Sequence, residues 1–246
     1  MKIIPLSEGS FTIDKSKLFV PFDPGTDDLQ NRAVGSLLVE VQPFVVITSE
    51  DVLLLDAGLG FDKNGVSQLH ANLMEHGINP REITKVLMTH LHKDHAGGVS
   101  HTVIGGSKKQ LAFPQATYYV QKQELDFAFE KGFPSYITEE LECLKEAKNV
   151  HLLDGNGVLN GYIKHEITGA HCPFHQVFWI VDGGETVFFG GDDAPQLQQM
   201  KNRFVAKYDY DGKKCMELRQ EWWKKGQEEK WTFLFYHDVK SPVFSF

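Results

Sequence analysis

The sequence predicts a layered α/β fold, and three observations lead there. Short apolar, β-branched runs bounded by turn-forming residues recur along the chain. Segments with helical spacing lie between them, the alternation expected when helices cover sheets. Three of the apolar runs stop directly at a histidine or an aspartate and pass into a loop, the usual place for a site on a rigid scaffold.

The first strands are Ser36–Val41 (SLLVEV), Phe44–Thr48 (FVVIT) and Val52–Asp56 (VLLLD), the last broken by Gly58 and Gly60. A helix is expected over Val66–His76, with Val66, Leu69 and Leu73 on one face and Gly77 as its stop. Asn79-Pro80-Arg81-Glu82 reads as a helix start. Asn79 is the N-cap, Pro80 the first helical residue and Glu82 the reciprocal partner of a capping box. Lys85–Thr89 (KVLMT) is a compact buried strand running into His90.

Gln115–Gln121 is the next strand, followed by helices over Glu124–Glu130 and Ile137–Lys148, separated by Gly132-Phe133-Pro134. His175–Val181 and Thr186–Phe189 flank Asp182-Gly183-Gly184, a hairpin signal, and the second strand reaches Gly190-Gly191-Asp192-Asp193. Lys213–Glu229 is a polar helix carrying Trp222 and Trp223, and the strand Trp231–Tyr236 ends at His237. No repeat or linker interrupts this series, so residues 1–246 are expected to form one domain.

Composition narrows the functional classes. Hydrophobic residues make up 41% and charged residues 24%, enough apolar material for a core. The net charge of −8 disfavours nucleic acid as a partner. No run of apolar residues approaches a membrane span, and the start MKIIPLSEGSFTIDK lacks an apolar signal-peptide core. Cys143, Cys172 and Cys215 form no CxxC pair, so neither a disulfide framework nor a thiolate site is expected. A reducing, cytoplasmic location and a small-molecule substrate fit this profile.

The chemistry concentrates in Thr89–Gly98 (THLHKDHAGG), where six residues hold His90, His92, Asp94 and His95. Residues two apart in an extended segment point the same way, so His90 and His92 can grip one ion. If the chain then turns into a helix, Asp94 and His95 swing toward a second point nearby. Imidazole and carboxylate together suit zinc, iron, manganese or cobalt. Ala96-Gly97-Gly98 leaves room for a close backbone approach.

THLHKDHAGG resembles the HxHxDH signature of the metallo-β-lactamase superfamily at every defining position. Leu53–Gly58 (LLLDAG), Thr168-Gly169-Ala170-His171, Gly191-Asp192 and His237 resemble its other conserved stations, in the family's order. The resemblance implies a four-layer αβ/βα sandwich with metals at one edge between two sheets. It implies that His90, His92 and His171 hold a first metal, that Asp94, His95 and His237 hold a second, and that Asp192 bridges them. The ions would be two divalent cations, zinc first, with iron or manganese as alternatives. Asp56 would orient a ligand histidine or only close a turn, and His175 is read as supporting or structural rather than a ligand. Asp193 competes with Asp192 for the bridge, with the glycine–aspartate register favouring Asp192. Cys172, Trp222 and Trp223 are read as packing residues, and Phe127–Ile137 as a candidate lid.

The implied activity is hydrolysis of a carboxylic ester or lactone by a metal-bound hydroxide, with Asp94 or Asp192 accepting a proton. Asp192 argues against a true β-lactamase, and His92 against the flavodiiron branch. Quorum-quenching lactonases often carry tyrosine three residues past the bridging aspartate, where this chain has Pro195. A glyoxalase-type thioesterase, a phospho(di/tri)esterase and a non-catalytic metal protein are the alternatives.

Overall fold

In the computed structural model, which describes residues 1–63, 65–102 and 109–246, two six-stranded sheets face each other among the described residues. The first runs in the order Lys2–Pro5, Phe44–Ile47, Val52–Leu55, Lys85–Leu87, Thr117–Gln121, Val150–Leu153. Its last four strands are parallel, so their carboxyl ends share one edge. The second runs Gly157–Leu159, Ile163–Ile167, Gln176–Asp182, Glu185–Phe189, Thr232–Leu234, Val243–Ser245. It is antiparallel except where Glu185–Phe189 pairs with Thr232–Leu234.

Side-chain alternation builds the layers, because successive residues of a strand point to opposite faces. Val46, Leu53, Leu55 and Leu87 turn inward and meet Phe178, Ile180, Val187, Phe189 and Leu234 of the other sheet. Their neighbours Val45, Leu54 and Val86 turn outward, where Leu69, Leu73, Leu125, Ala128, Leu141 and Leu144 of helices Gln68–Glu75, Lys122–Lys131 and Thr138–Glu146 cover them. On the far side Val177, Trp179, Phe188 and Phe233 pack under Leu197, Met200 and Trp222 from helices Leu197–Lys201 and Gly212–Glu229. Three interlayer cores make four layers, the αβ/βα sandwich the motif implied. Fully burying each such side chain contributes about 1.5–3 kcal/mol, which makes the interior the main source of stability.

Several expectations shift. Val66–Ser67 is not helical but pairs with Asp62–Lys63, and the helix begins at Gln68. Val66 is accordingly exposed, while Leu69 and Leu73 are buried. The 115–121 strand begins at Thr117. Lys2–Pro5 and Gly9–Ile13 are strands that sequence periodicity did not mark, since their apolar runs are too short to stand out. Gly9–Ile13 pairs with Leu37–Val41 and, with Val20–Pro21, forms a small separate sheet beside the site edge. The capping box at Asn79 and Glu82 forms as expected, although the turn it starts is a single 3-10 turn.

Candidate metal centre

Four strands deliver donors to one edge. After Lys85–Leu87 the chain bends at Thr89 and runs without regular structure to His92, then coils into the short helix Lys93–Ala96. This connecting part brings His90 Nε2 to 3.0 Å from His92 Nδ1. The helical part turns Asp94 and His95 away from that pair, with His95 Nε2 3.6 Å from Asp94 Oδ2. His171 follows strand Ile163–Ile167, and Asp192 sits in a tight turn after Glu185–Phe189. Gly191, at φ +48, permits that turn, since a Cβ there would lie 2.7 Å from Thr89 Oγ1. His237 follows Thr232–Leu234 and is fixed by its N–H to the Pro195 carbonyl at 3.0 Å.

These seven side chains fall into two sets whose donor atoms all lie within 4.8 Å of one another. One is His90, His92, His171 and Asp192; the other is Asp94, His95, His237 and Asp192. Asp192 belongs to both, with its two oxygens divided between them. Oδ2 lies 3.2 Å from His171 Nε2 and 3.9 Å from His90 Nε2. Oδ1 lies 3.0 Å from His237 Nε2 and 3.1 Å from His95 Nε2. His95 Nε2 and Asp192 Oδ1 are buried and make no hydrogen bond. Leaving such groups unsatisfied is costly, so converging lone pairs of this kind fit a cation.

The outward nitrogens of four histidines are held from behind. His90 Nδ1 lies 3.0 Å from Thr89 Oγ1, and His95 Nδ1 2.8 Å from Asp56 Oδ2. His171 Nδ1 lies 2.9 Å from Asp209 Oδ1, and His237 Nδ1 2.6 Å from the Glu40 carbonyl. Such contacts fix ring orientation and which nitrogen stays free. Asp56 also accepts from Thr89 N and Thr89 Oγ1, both at 2.7 Å, so it does more than close a turn. His92 offers Nδ1 itself to the centre, and its ring packs on Tyr136 at 4.9 Å.

Burial and mutual proximity separate the titrations. Burial, with neighbouring imidazoles, pushes His90 and His92 well below the usual histidine range. At His95, His171 and His237 burial acts the same way, but carboxylates outweigh it. Asp192, aided by Asp94 or Asp209, raises all three, His237 to about 9. The converse holds for Asp192, kept well below the carboxylate range despite burial by the surrounding imidazoles.

Asp193 does not reach either donor set. Its Oδ1 accepts from His171 N at 2.7 Å and its Oδ2 lies 3.0 Å from His175 Nδ1. Despite its burial, His175 and Thr168 hold the Asp193 carboxyl at about 2. His175 stands behind the centre, with Nε2 accepting from Asp192 N at 3.2 Å. Cys172 lies outside both sets, 3.5 Å from Glu124 Oε2. Trp222 and Trp223 pack in the outer core, away from the cavity. Of Phe127–Ile137, Pro134 and Ser135 form cavity wall, Tyr136 backs His92, and Phe133 is exposed.

Four supporting residues carry no motif. Asp209 is reached only through the fold. Glu124 accepts from Leu91 N, between the two leading histidines, and from the Tyr136 hydroxyl. Tyr208 lines the cavity beside His171, with its ring 6.2 Å away. Above the donors a cavity of about 660 Å³ opens, within the range of small-molecule sites. Its walls include Ile13, Phe19, Val34, Leu37, Val39 and Phe204, and its floor includes His92, Asp94, His171, Asp192 and His237. Among the described residues, no helix is long and apolar enough to cross a membrane.

The sequence profile of the metallo-beta-lactamase superfamily matches residues 39–222. No curated protein matches the chain. Similar solved structures include a probable metal-dependent hydrolase from Staphylococcus aureus at 22% identity and TM-score 0.78, covering 99% of this chain and 91% of that one. A hydrolase of the beta lactamase superfamily is 20% identical at TM-score 0.74, covering 99% and 89%. A dizinc quorum-quenching lactonase, solved with its product N-hexanoyl-L-homoserine, is 20% identical at TM-score 0.72, covering 98% and 88%. The chain belongs to the metallo-beta-lactamase superfamily of metal-dependent hydrolases.

Proposed function

We propose that this chain is a binuclear metal-dependent hydrolase of carboxylic esters or lactones. The observation that carries the reading is the pair of donor sets sharing Asp192, whose two oxygens face opposite sets. His90, His92 and His171 would hold one divalent ion, and Asp94, His95 and His237 the other, with Asp192 contributing to both. Nitrogen and carboxylate donors suit zinc first and iron or manganese next. Bound there, the ions would supply Lewis acidity toward a carbonyl oxygen and would make a shared water more acidic.

The chain's own residues do the rest. Thr89, Asp56, Asp209 and the Glu40 carbonyl keep four imidazoles aimed inward. Asp94 and Asp192 are the carboxylates of the donor sets that line the cavity, and one of them takes the proton as water adds to the acyl carbon. The C–O bond then breaks and the same carboxyl returns its proton to the departing oxygen, giving a carboxylate and an alcohol. Apolar walls seat an acyl or aryl body. The lactonase neighbour supports a cyclic or open carboxylic ester.

The test is a panel of lactones, aryl esters, thioesters and phosphodiesters on protein loaded with two zinc ions. Esters or lactones should turn over best, and His92→Ala should abolish turnover. Activity that survives in His92→Ala would sink the mechanism. A metal count of one per chain would favour a non-catalytic role, since closed structural sites hold a single ion.

A further inference from the structure

The charge around the cavity runs opposite to the charge of the chain. The sequence carries a net −8. Outside the donor sets, however, the charged side chains lining the cavity are Lys15, Lys17, Lys93 and Lys207, against the single carboxylate Asp14. Asp14 accepts from the Ser16 amide at 2.8 Å and the Ser16 hydroxyl at 2.5 Å.

Elsewhere on the surface some lysines are matched with acids, as in Lys122–Asp126, Lys164–Glu166, Lys213–Glu217 and Lys225–Glu229. Among the described residues none of the four lysines at the cavity mouth forms an ion pair within 4 Å, and the carboxylates that act on them from farther off are Asp14 on Lys15 and Asp94 on Lys93. Two of them are held in place by neutral oxygens instead. Lys17 Nζ donates to Ser135 Oγ at 2.5 Å, and Lys93 Nζ donates to the Lys17 carbonyl at 2.5 Å. Lys93 Nζ also sits 5.8 Å from the Phe19 ring and 6.0 Å from the Phe133 ring. Neutral acceptors and ring faces orient an ammonium without cancelling its charge. Low-dielectric walls concentrate the field of such charges into the cleft.

We infer that the substrate is an amphiphilic anion: an ester on an apolar body that carries a negative charge away from the scissile bond. Ile13, Phe19, Val34, Leu37 and Phe204 take the body, and the lysines at the mouth take the charge. Lysine is a compact point charge rather than a planar fork, so it selects charge more than shape. The distal group is therefore a carboxylate or a phosphate-like anion. The inference rests on the ester-hydrolase reading for its chemistry, but its charge preference can be read without turnover.

The experiment uses zinc-loaded protein and two matched comparisons. Mono-4-nitrophenyl heptanedioate is compared with its terminal carboxamide as substrates. Heptanedioate, 6-phosphonohexanoate and heptanoate are compared as ligands by calorimetry, each offering one carboxylate to the centre and differing at the far end. The expected result is a KM at least tenfold lower for the charged ester. Kd should be at least tenfold lower for a dianionic ligand than for heptanoate, and the advantage should shrink as salt rises. The phosphonate arm distinguishes which anion is preferred.

In Lys17→Gln/Lys207→Gln both ratios should fall at least fivefold. In Lys122→Gln/Lys213→Gln, which lowers the net charge equally but away from the cavity, they should stay as in the parent. Equal binding of heptanedioate and heptanoate overturns the inference, as do ratios that fall equally in both variants. If neither ester turns over, the hydrolase reading fails, and the ligand comparison still decides the charge preference.

Discussion

His92 is held differently from the other donor histidines. His90, His95, His171 and His237 each rest their outer nitrogen on a fixed oxygen. The position of His92 depends on the Tyr136 ring and on Glu124, which anchors both the Tyr136 hydroxyl and the Leu91 amide. Tyr136→Ala removes that backing and should weaken zinc at the His90–His92–His171 set by roughly tenfold to a hundredfold. The other set should change little. Chelator competition resolving two affinities measures both, and equal loss at both sets contradicts a local role. Asp56→Asn leaves three donors, Thr89 N, Thr89 Oγ1 and His95 Nδ1, facing a group with one acceptor oxygen, so it should weaken the Asp94–His95–His237 set by a similar factor. The donors themselves were legible because six consecutive residues carry four of them, and the rest follow strands. Asp209, Glu124, Tyr136 and Tyr208 were not, since nothing local marks a residue whose partner is supplied by a distant turn.

At the scale of elements, the loop after strand Val52–Leu55 is wedged between the histidine motif and the small sheet. A Cβ at Gly98 would lie 2.1 Å from the Ala57 carbonyl oxygen, and one at Gly60 would lie 2.2 Å from that of Gly97. The Gly97-Gly98 pair thus gives room to this loop, a partner its sequence does not name. Gly98→Ala should cost about 1–3 kcal/mol in a denaturant titration and lower zinc affinity with it. Across the loop Glu8 accepts from Leu59 N at 2.6 Å. Burial outweighs that contact and raises its carboxyl from 4.5 to about 7. The folded chain therefore keeps a proton that the unfolded chain releases between these values. The stability this contributes is full below pH 4.5 and is lost as pH rises through 7. From pH 5 to 8 the parent should lose about 2–3 kcal/mol that Glu8→Gln retains. Parallel pH profiles for the two proteins would remove Glu8 as the cause. Glu8 went unnoticed in the sequence because the strand beside it, Gly9–Ile13, has too short a pattern to announce a buried position.

For the whole molecule, the layered α/β class was readable from apolar runs such as FVVI, VLLL and QVFWIVD, whose odd and even residues enter different cores, and the four layers followed from the resemblance carried by the histidine motif. The face-to-face packing of the two sheets was not legible in the residues themselves, because it depends on contacts distant in sequence. That packing collects three imidazoles of raised pKa, His95, His171 and His237, around Asp192 and Asp94. In the metal-free chain the carboxylates favour the protonated form of these three, while burial favours neutral His90 and His92. Zinc takes only deprotonated imidazole, so binding must expel those protons. At pH 7, loading both sites should release more than one proton per chain and at most about three, read by calorimetry in buffers of different ionisation enthalpy. The same protons stabilise the metal-free fold below pH 6.5, and this contribution disappears as pH rises through about 9 for His237. The Tm difference between zinc-loaded and metal-free protein should therefore widen from pH 6 to 9. Zinc uptake with no proton release and a constant Tm difference would mean that His95, His171 and His237 are not the ligands.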